Sequence, residues 1–220
     1  MKLRSRLAIR CAKLTSILIK KMNRGSGVTL PGYVARIIDP NILNTMSKQV
    51  REKTIVTMGT NGKTTTTALL GKIMSDARPS VFVVGNIGTP YTSKSLEMTD
   101  ETVTVAEISS FQLETALTFR PHVSAILNIT PDHLNRHKTM ECYIAVKESI
   151  TKNQTKDDFC VLNYDDEVLR SFAQSCPATV IFFSSRHSLD EGFCMNGSRL
   201  VYRHDGKEEV IGTTDQFNLV

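Results

Sequence analysis

The stretch Thr54-Ile-Val-Thr-Met58-Gly59-Thr60-Asn61-Gly62-Lys63-Thr64-Thr65 decides how this chain is read. Its first five residues are β-branched or apolar and predict a strand, the next four turn on two glycines, and a helical pattern runs from Lys63 to Ser75. Strand, glycine turn and helix N-terminus is the order in which a backbone curls its N–H groups toward phosphate oxygens, with the helix dipole adding to the attraction. Lys63 supplies a cation for β- and γ-phosphates, and the Thr64 hydroxyl can ligate Mg²⁺. The strict GxxxxGK[ST] spacing needs glycine at position 57, which is Thr57, so this is a tighter form, GxxGKT. The alternative is a glycine-rich turn that merely carries a lysine. The expectation is a site for ATP and Mg²⁺ built from Gly59, Thr60, Asn61, Gly62, Lys63, Thr64 and Thr65.

Outward from this loop, β-rich runs recur at Val81–Val84, Val103–Ala106, Val123–Ile129, Phe159–Leu162 and Val180–Phe183, with helical stretches at Met140–Thr151 and Glu167–Gln174. Strands alternating with helices predict an α/β fold, a mostly parallel sheet flanked by helices. Arg199–Arg203 and Glu209–Gly212 read as small edge strands in a later region rich in Gly, Ser and charge. In parallel sheets, ligands sit at the carboxyl ends of the strands. Glu107 ends one strand there, and Asp132 and His133 follow another; Lys147 lies on the next helix. Singly, each has an ordinary reading: a helix cap, a surface imidazole, a solvated cation. Together they predict one site.

The charge is uneven. Nine of the 27 Lys and Arg fall within residues 1–38, where no acid occurs before Asp39, leaving 18 basic against 22 acidic residues in the remainder. The net charge of +5 thus describes a basic arm, residues 1–50, on a mildly acidic domain, residues 51–220, and nucleic acid is not an expected partner. Leu3, Leu7, Cys11, Leu14 and Leu18 recur at helical spacing among cations, so residues 2–22 predict a basic amphipathic N-terminal helix. Three readings of it stay open: a Leu stripe packed on its own domain, residues 2–24 resting on an anionic membrane surface, or an organellar presequence. No apolar run has the length of a membrane span. Cysteines 11, 142, 160, 176 and 194 form no CxxC pair and predict free thiols in a reducing cytoplasm.

Gly59-Thr-Asn-Gly-Lys-Thr-Thr65, Gly85-Asn86-Ile87-Gly88, Glu107-Ile-Ser-Ser-Phe-Gln-Leu-Glu114, Asn128-Ile-Thr-Pro-Asp-His133 and Tyr143–Lys147 resemble the central ATPase domain of the Mur ligase family, a P-loop NTPase-like fold. Ser109–Glu114 is most similar to the branch that adds D-glutamate to a UDP-muramoyl-alanine substrate. The resemblance implies an ADP-forming amide ligase of peptidoglycan precursor synthesis, working through an acyl phosphate. It implies that Lys63 and Thr64 hold the triphosphate and a first Mg²⁺ with Glu107, and that His133 serves a second metal position. It further implies that Asn86, Ser109 and Gln112 contact the muramoyl substrate, and that Lys147 is a carbamate orienting the metals, an anion where a bare ammonium would repel them.

Three departures stand out: Met58 replaces Thr or Ser, Asn135 replaces the Asp of Asp-His-x-Asp-Arg, and the chain is short for the family, so the domain is expected to be C-terminally truncated. Residues 1–43 resemble instead the Mur-ligase-like subunit of lipid II isoglutaminyl synthase, which implies a lipid-linked muropeptide substrate, a glutaminase partner and a place at the inner membrane face. An inactive nucleotide-binding module is the remaining alternative.

Overall fold

The computed structural model describes residues 54–216, together with Leu7, Ala8, Arg10, Cys11, Leu14, Thr15, Val34, Ile37 and Ile38. The described strands are β1 (Thr54–Met58), β2 (Val81–Gly85), β3 (Val103–Glu107), β4 (Val123–Ile126), β5 (Phe159–Asn163), β6 (Thr179–Ser184), β7 (Gly192–Asn196), β8 (Arg199–His204) and β9 (Lys207–Thr213). They form one sheet in the order β2-β3-β1-β4-β5-β6-β7-β8-β9. Pairing is parallel from β2 through β7 and antiparallel for the last two ladders. The helices are α1 (Lys63–Ala77), α2 (Tyr91–Lys94), α3 (Ser110–Leu113), α4 (Leu134–His137), α5 (Met140–Glu148) and α6 (Glu167–Phe172), with a 3₁₀ turn at Ser149–Thr151.

β1 sits between β3 and β4, leading outward through β2 and β3 on one side while β4 leads to β5 on the other. That reversal opens a crevice at the carboxyl ends of β1 and β4, where ligands bind in such sheets. Val56, Met58, Val84, Ala106, Ile126 and Leu162 are buried in one core cluster with Leu113 of α3, Tyr143 of α5, Ile150 of the 3₁₀ turn and Leu169 of α6, while α1 packs on the other face against Thr57 and Val83. Each of the Val, Met, Ile and Leu side chains contributes about 1.5–3 kcal/mol through burial.

Several expectations shift in detail. β4 ends at Ile126 rather than Ile129, because the chain beyond it is recruited by the glycine loop: the Leu127 N–H still bonds the Met58 carbonyl, but the Asn128 carbonyl accepts from the Thr60 N–H at 3.0 Å. The Ser110–Leu113 segment forms a short helix that carries a Ser109–Gln112 capping box at its start. β7 has no counterpart in the sequence reading; its five residues Gly-Phe-Cys-Met-Asn carry no strong alternation and pair only in the context of β6 and β8.

Of the arm, Leu7, Ala8, Arg10, Cys11, Leu14 and Thr15 are helical, as the spacing predicts. The stripe itself is not packed at these positions: Leu7 and Leu14 are 54% and 60% exposed, while Ala8 is buried in the main core. Apart from these six and Val34, Ile37 and Ile38, residues 1–50 lie outside the described residues. Among the described residues no helix is long and apolar enough to cross a membrane, and all five cysteines are free.

Candidate active site

The loop after β1 is braced from β4. The Asn128 side-chain oxygen accepts from the N–H groups of Thr60 (3.0 Å) and Asn61 (2.8 Å), and its amide donates back to the Asn61 carbonyl. The Thr60 hydroxyl donates to the Thr130 carbonyl and accepts from the Thr130 N–H. Gly62, at φ +78°, caps α1 in a left-handed conformation that a side chain would strain. α1 therefore starts at Lys63 with its first N–H groups facing the crevice. The Lys63 ammonium donates to the Thr60 carbonyl at 2.7 Å. Behind the loop the hydroxyls of Thr57 and Thr67 are hydrogen-bonded, tying β1 to α1.

Glu107, 1% exposed, ends β3 beside this junction. Its two carboxylate oxygens are each met by a neutral donor: the Thr64 hydroxyl at 2.8 Å and the Asn86 amide at 2.8 Å. Asn86 is aimed there because its own N–H bonds the Glu107 carbonyl, and because Gly85, at φ +104°, lets the backbone pass where a Cβ would sit 2.1 Å from that carbonyl oxygen. A buried carboxylate facing a threonine hydroxyl is an all-oxygen donor set of the kind a hard divalent cation takes, so these residues fit Mg²⁺.

Lys147 reaches the loop from α5. It is 2% exposed, its ammonium donates to the Gly59 carbonyl at 2.7 Å, and it lies 4.7 Å from the centre of the Tyr143 ring. The solvated-cation reading of Lys147 is therefore overturned. Burial first, and then the charge of Lys63, pull its pKa down to about 8, with Asp132 acting in the opposite direction.

The remaining expected residues lie further out. Ser109 and Gln112 bond each other: the Gln112 side-chain oxygen accepts from the Ser109 N–H at 2.9 Å and from its hydroxyl at 3.1 Å. His133 has a left-handed backbone, at φ 53°, and a half-exposed ring that lies 5.0 Å from Phe111 and 3.4 Å from the Asp132 carboxylate. Its hydrogen-bonding atoms are not joined to the Thr64–Glu107 pair. Asn135, where the expected pattern has Asp, is exposed on α4.

Sequence reasoning missed two parts of this site. Asn128 braces the loop, and its place directly after a β-run was the available signal. His137, buried, joins α3 to α5: its Nε2 meets the Ser110 hydroxyl at 2.9 Å while its ring stacks on Phe111 and tilts against Tyr143.

A family model, the Mur ligase middle domain, matches residues 56–216. The chain belongs to the Mur ligase family. Among curated relatives of this Mur ligase domain, it is 56% identical over 162 residues to the UDP-N-acetylmuramoylalanine--D-glutamate ligase of Lachnoclostridium phytofermentans, covering 74% of this chain and 36% of that one. It is 51% identical over 157 residues to the enzyme of the same name from Clostridioides difficile, covering 71% and 35%. The chain thus spans about a third of the length of these relatives. Among solved structures, MurF from Acinetobacter baumannii superposes with a TM-score of 0.60 at 17% identity, covering 80% of this chain and 41% of that one. The MurF ligase from Thermotoga maritima in complex with ADP gives 0.58 at 18% identity, with 80% and 44% covered. These superpositions establish that the mostly parallel, helix-flanked sheet is the Mur ligase one.

Alongside the glycine loop this Mur ligase domain carries an open cavity of about 410 Å³ between the ends of β4, β5 and β6, lined by Asn128, Thr130, Asp165, Asp166 and Arg186 among others. Asp165 and Asp166 are committed to structure. Asp166 caps α6 and accepts from the Ile129 N–H, and Asp165 accepts from Ser184, Ser185 and His187.

Proposed function

We propose that this chain is the nucleotide-binding part of an ATP-dependent ligase that joins D-glutamate to UDP-N-acetylmuramoyl-L-alanine in the cytoplasm. The observation that carries the reading is the convergence of Thr64, Glu107 and Lys147 on one glycine loop from α1, β3 and α5. The names of relatives 51–56% identical to the chain supply the substrate.

In this reading Gly59, Thr60, Asn61, Gly62 and Thr65 form the loop around the triphosphate, held in shape where Asn128 accepts from the Thr60 and Asn61 N–H groups, and Lys63 offsets charge as the γ-phosphoryl passes to the muramoyl-alanine carboxylate. The D-glutamate amine then attacks the acyl phosphate carbon, phosphate leaves, and an amide remains. Mg²⁺, when bound, would neutralise phosphate charge, with Thr64 and Glu107 as its oxygen donors and His133 and a carbamate on Lys147 at a second position. The lowered pKa of Lys147 favours that carbamate, because only a neutral amine adds to CO₂. Asn86, Ser109 and Gln112 would orient the muramoyl substrate.

The basic arm, residues 2–24, would add a weak membrane-surface contact. The amidating alternative, with lipid-linked substrate and glutaminase partner, draws on residues 1–43, most of them outside the described set; the relatives' names favour D-glutamate.

Titration calorimetry of the chain with ADP and Mg²⁺ tests the reading. The wild type is expected to bind, and Lys63→Ala to bind at least about tenfold more weakly, since a charge-assisted phosphate contact contributes about 1.5–3 kcal/mol. Equal affinities would remove the phosphate-loop assignment.

A further inference from the structure

The chain holds two Asn–Gly steps, Asn61-Gly62 in the glycine loop and Asn196-Gly197 at the turn between β7 and β8. Asparagine is a thermolabile residue, and a glycine after it has no side chain to shield its backbone nitrogen from the asparagine amide carbon. The fold treats the two steps differently. Asn61 and Gly62 are both exposed. Asn128 holds the Asn61 backbone at its N–H (2.8 Å) and its carbonyl (3.1 Å). Among the described residues, the Asn61 side-chain amide and the Gly62 N–H are left without a hydrogen-bond partner. Asn196 is half-buried, its backbone is paired with Arg199, and its side-chain nitrogen donates to both Glu208 oxygens at 3.3 Å.

Gly62 also caps the 15-residue helix α1. The positive end of the helix dipole favours negative charge at that point. It therefore favours release of the Gly62 amide proton, and it favours the oxyanion that forms when the Gly62 nitrogen adds to a carbonyl carbon. No helix begins at Gly197, which joins two strands. An unheld side-chain amide and a helix end thus coincide at Asn61, and Asn196 has neither.

We propose that Asn61 is a self-modification site, a deamidating asparagine whose reaction turns the glycine loop acidic and which bound nucleotide protects. The Gly62 nitrogen attacks the Asn61 amide carbon. A C–N bond forms and closes a succinimide, the bond to the side-chain nitrogen breaks, and ammonia leaves with the proton that Gly62 gives up. Water then opens the ring at one of its two carbonyls, leaving aspartate or isoaspartate. Either product sets a carboxylate beside the positive end of α1, and isoaspartate also adds a backbone carbon ahead of Gly62. The protection rests on the proposed function. A phosphate at the start of α1 would accept from the Gly62 N–H and keep that nitrogen from attacking, whereas the new carboxylate would repel the phosphate.

The test warms the folded full chain at mildly alkaline pH, with and without ADP and Mg²⁺, and follows tryptic digests by mass spectrometry. Peptides 54–63 and 187–199 contain one asparagine each, so replacement of NH by O reports Asn61 and Asn196 separately. Without nucleotide, Asn61 should convert at least about fivefold faster than Asn196, since the helix end speeds one step and the Glu208 bonds slow the other. In denaturant the two rates should converge. A folded-state ratio near one overturns the site, and a ratio that denaturant leaves unchanged overturns its structural cause. ADP with Mg²⁺ should slow Asn61 several-fold and leave Asn196 as it was. An Asn61 rate that nucleotide does not change overturns the protection, while calorimetry on fresh chain decides the phosphate-loop reading separately.

Discussion

Lys147 concentrates the energetics of the candidate site in one side chain. Its amine titrates near 8 in the fold and near 10.5 in the unfolded chain. Between those values the unfolded chain binds more protons, so this residue makes wild-type stability rise with pH across that window, and its charged-state penalty is fully present below it. Lys147→Met removes the charge and keeps an apolar stem in place. The variant should gain on the wild type most at pH 7 and lose that advantage by pH 10, a swing of up to about 3 kcal/mol. Urea midpoints at the two pH values measure it, and a constant difference would show that burial does not depress the amine. Periodicity alone did not announce this burial; the family resemblance did, by implying that Lys147 stands among the metals. The helix pattern around Lys147 is compatible with either face, and only the 88-residue reach to the Gly59 carbonyl selects the inner one. Glu107 was more legible, since a carboxylate at the end of a β-run has its position fixed by the sheet.

Among the elements, the loops after β5 and β6 are joined by a single carboxylate. Burial by itself would raise the Asp165 pKa, but hydrogen bonds from Ser184, His187 and Ser185 outweigh it and hold the group well below the usual carboxylate range. A depressed folded-state value gives stability that is present above the unfolded value, near 4, and is lost as pH falls through the folded one. Asp165→Ala should therefore destabilise by about 2–3 kcal/mol at pH 7, with the difference from wild type shrinking toward pH 3 in thermal melts. If the difference is unchanged at pH 3, the Ser184 and His187 bonds carry no charge-dependent stability. β1, α1 and the parallel ladders were readable because a β-run, two glycines and a helix each follow local rules. β7 and α3 were not: the first exists only through its neighbours, and the second is four residues long and depends on the reciprocal Ser109–Gln112 bonds.

For the whole molecule, charge separates the arm from the domain. Eight cations fall within residues 2–24, and each contributes roughly 1 kcal/mol near an anionic surface. Co-sedimentation with vesicles containing anionic lipid should be measurable at low salt, fall at high salt, and vanish on deletion of residues 1–24. The exposure of Leu7 and Leu14 is consistent with a stripe open to such a surface, and equal sedimentation with and without the arm would remove the membrane reading. The placement of β1 between β3 and β4 also has a consequence for synthesis. The loop's partners lie 43, 68 and 88 residues away, at Glu107, Asn128 and Lys147, so no short fragment holds the nucleotide crevice together. At about 5–20 residues per second, a ribosome needs some 4–18 seconds after Gly59 to deliver Lys147. Over that interval the nascent glycine loop has neither its carboxylate, its asparagine brace nor its buried lysine in full. On the proposed function, ATP cannot template the early steps of folding; it would meet a crevice that closes only after the sheet has been threaded from both sides of β1.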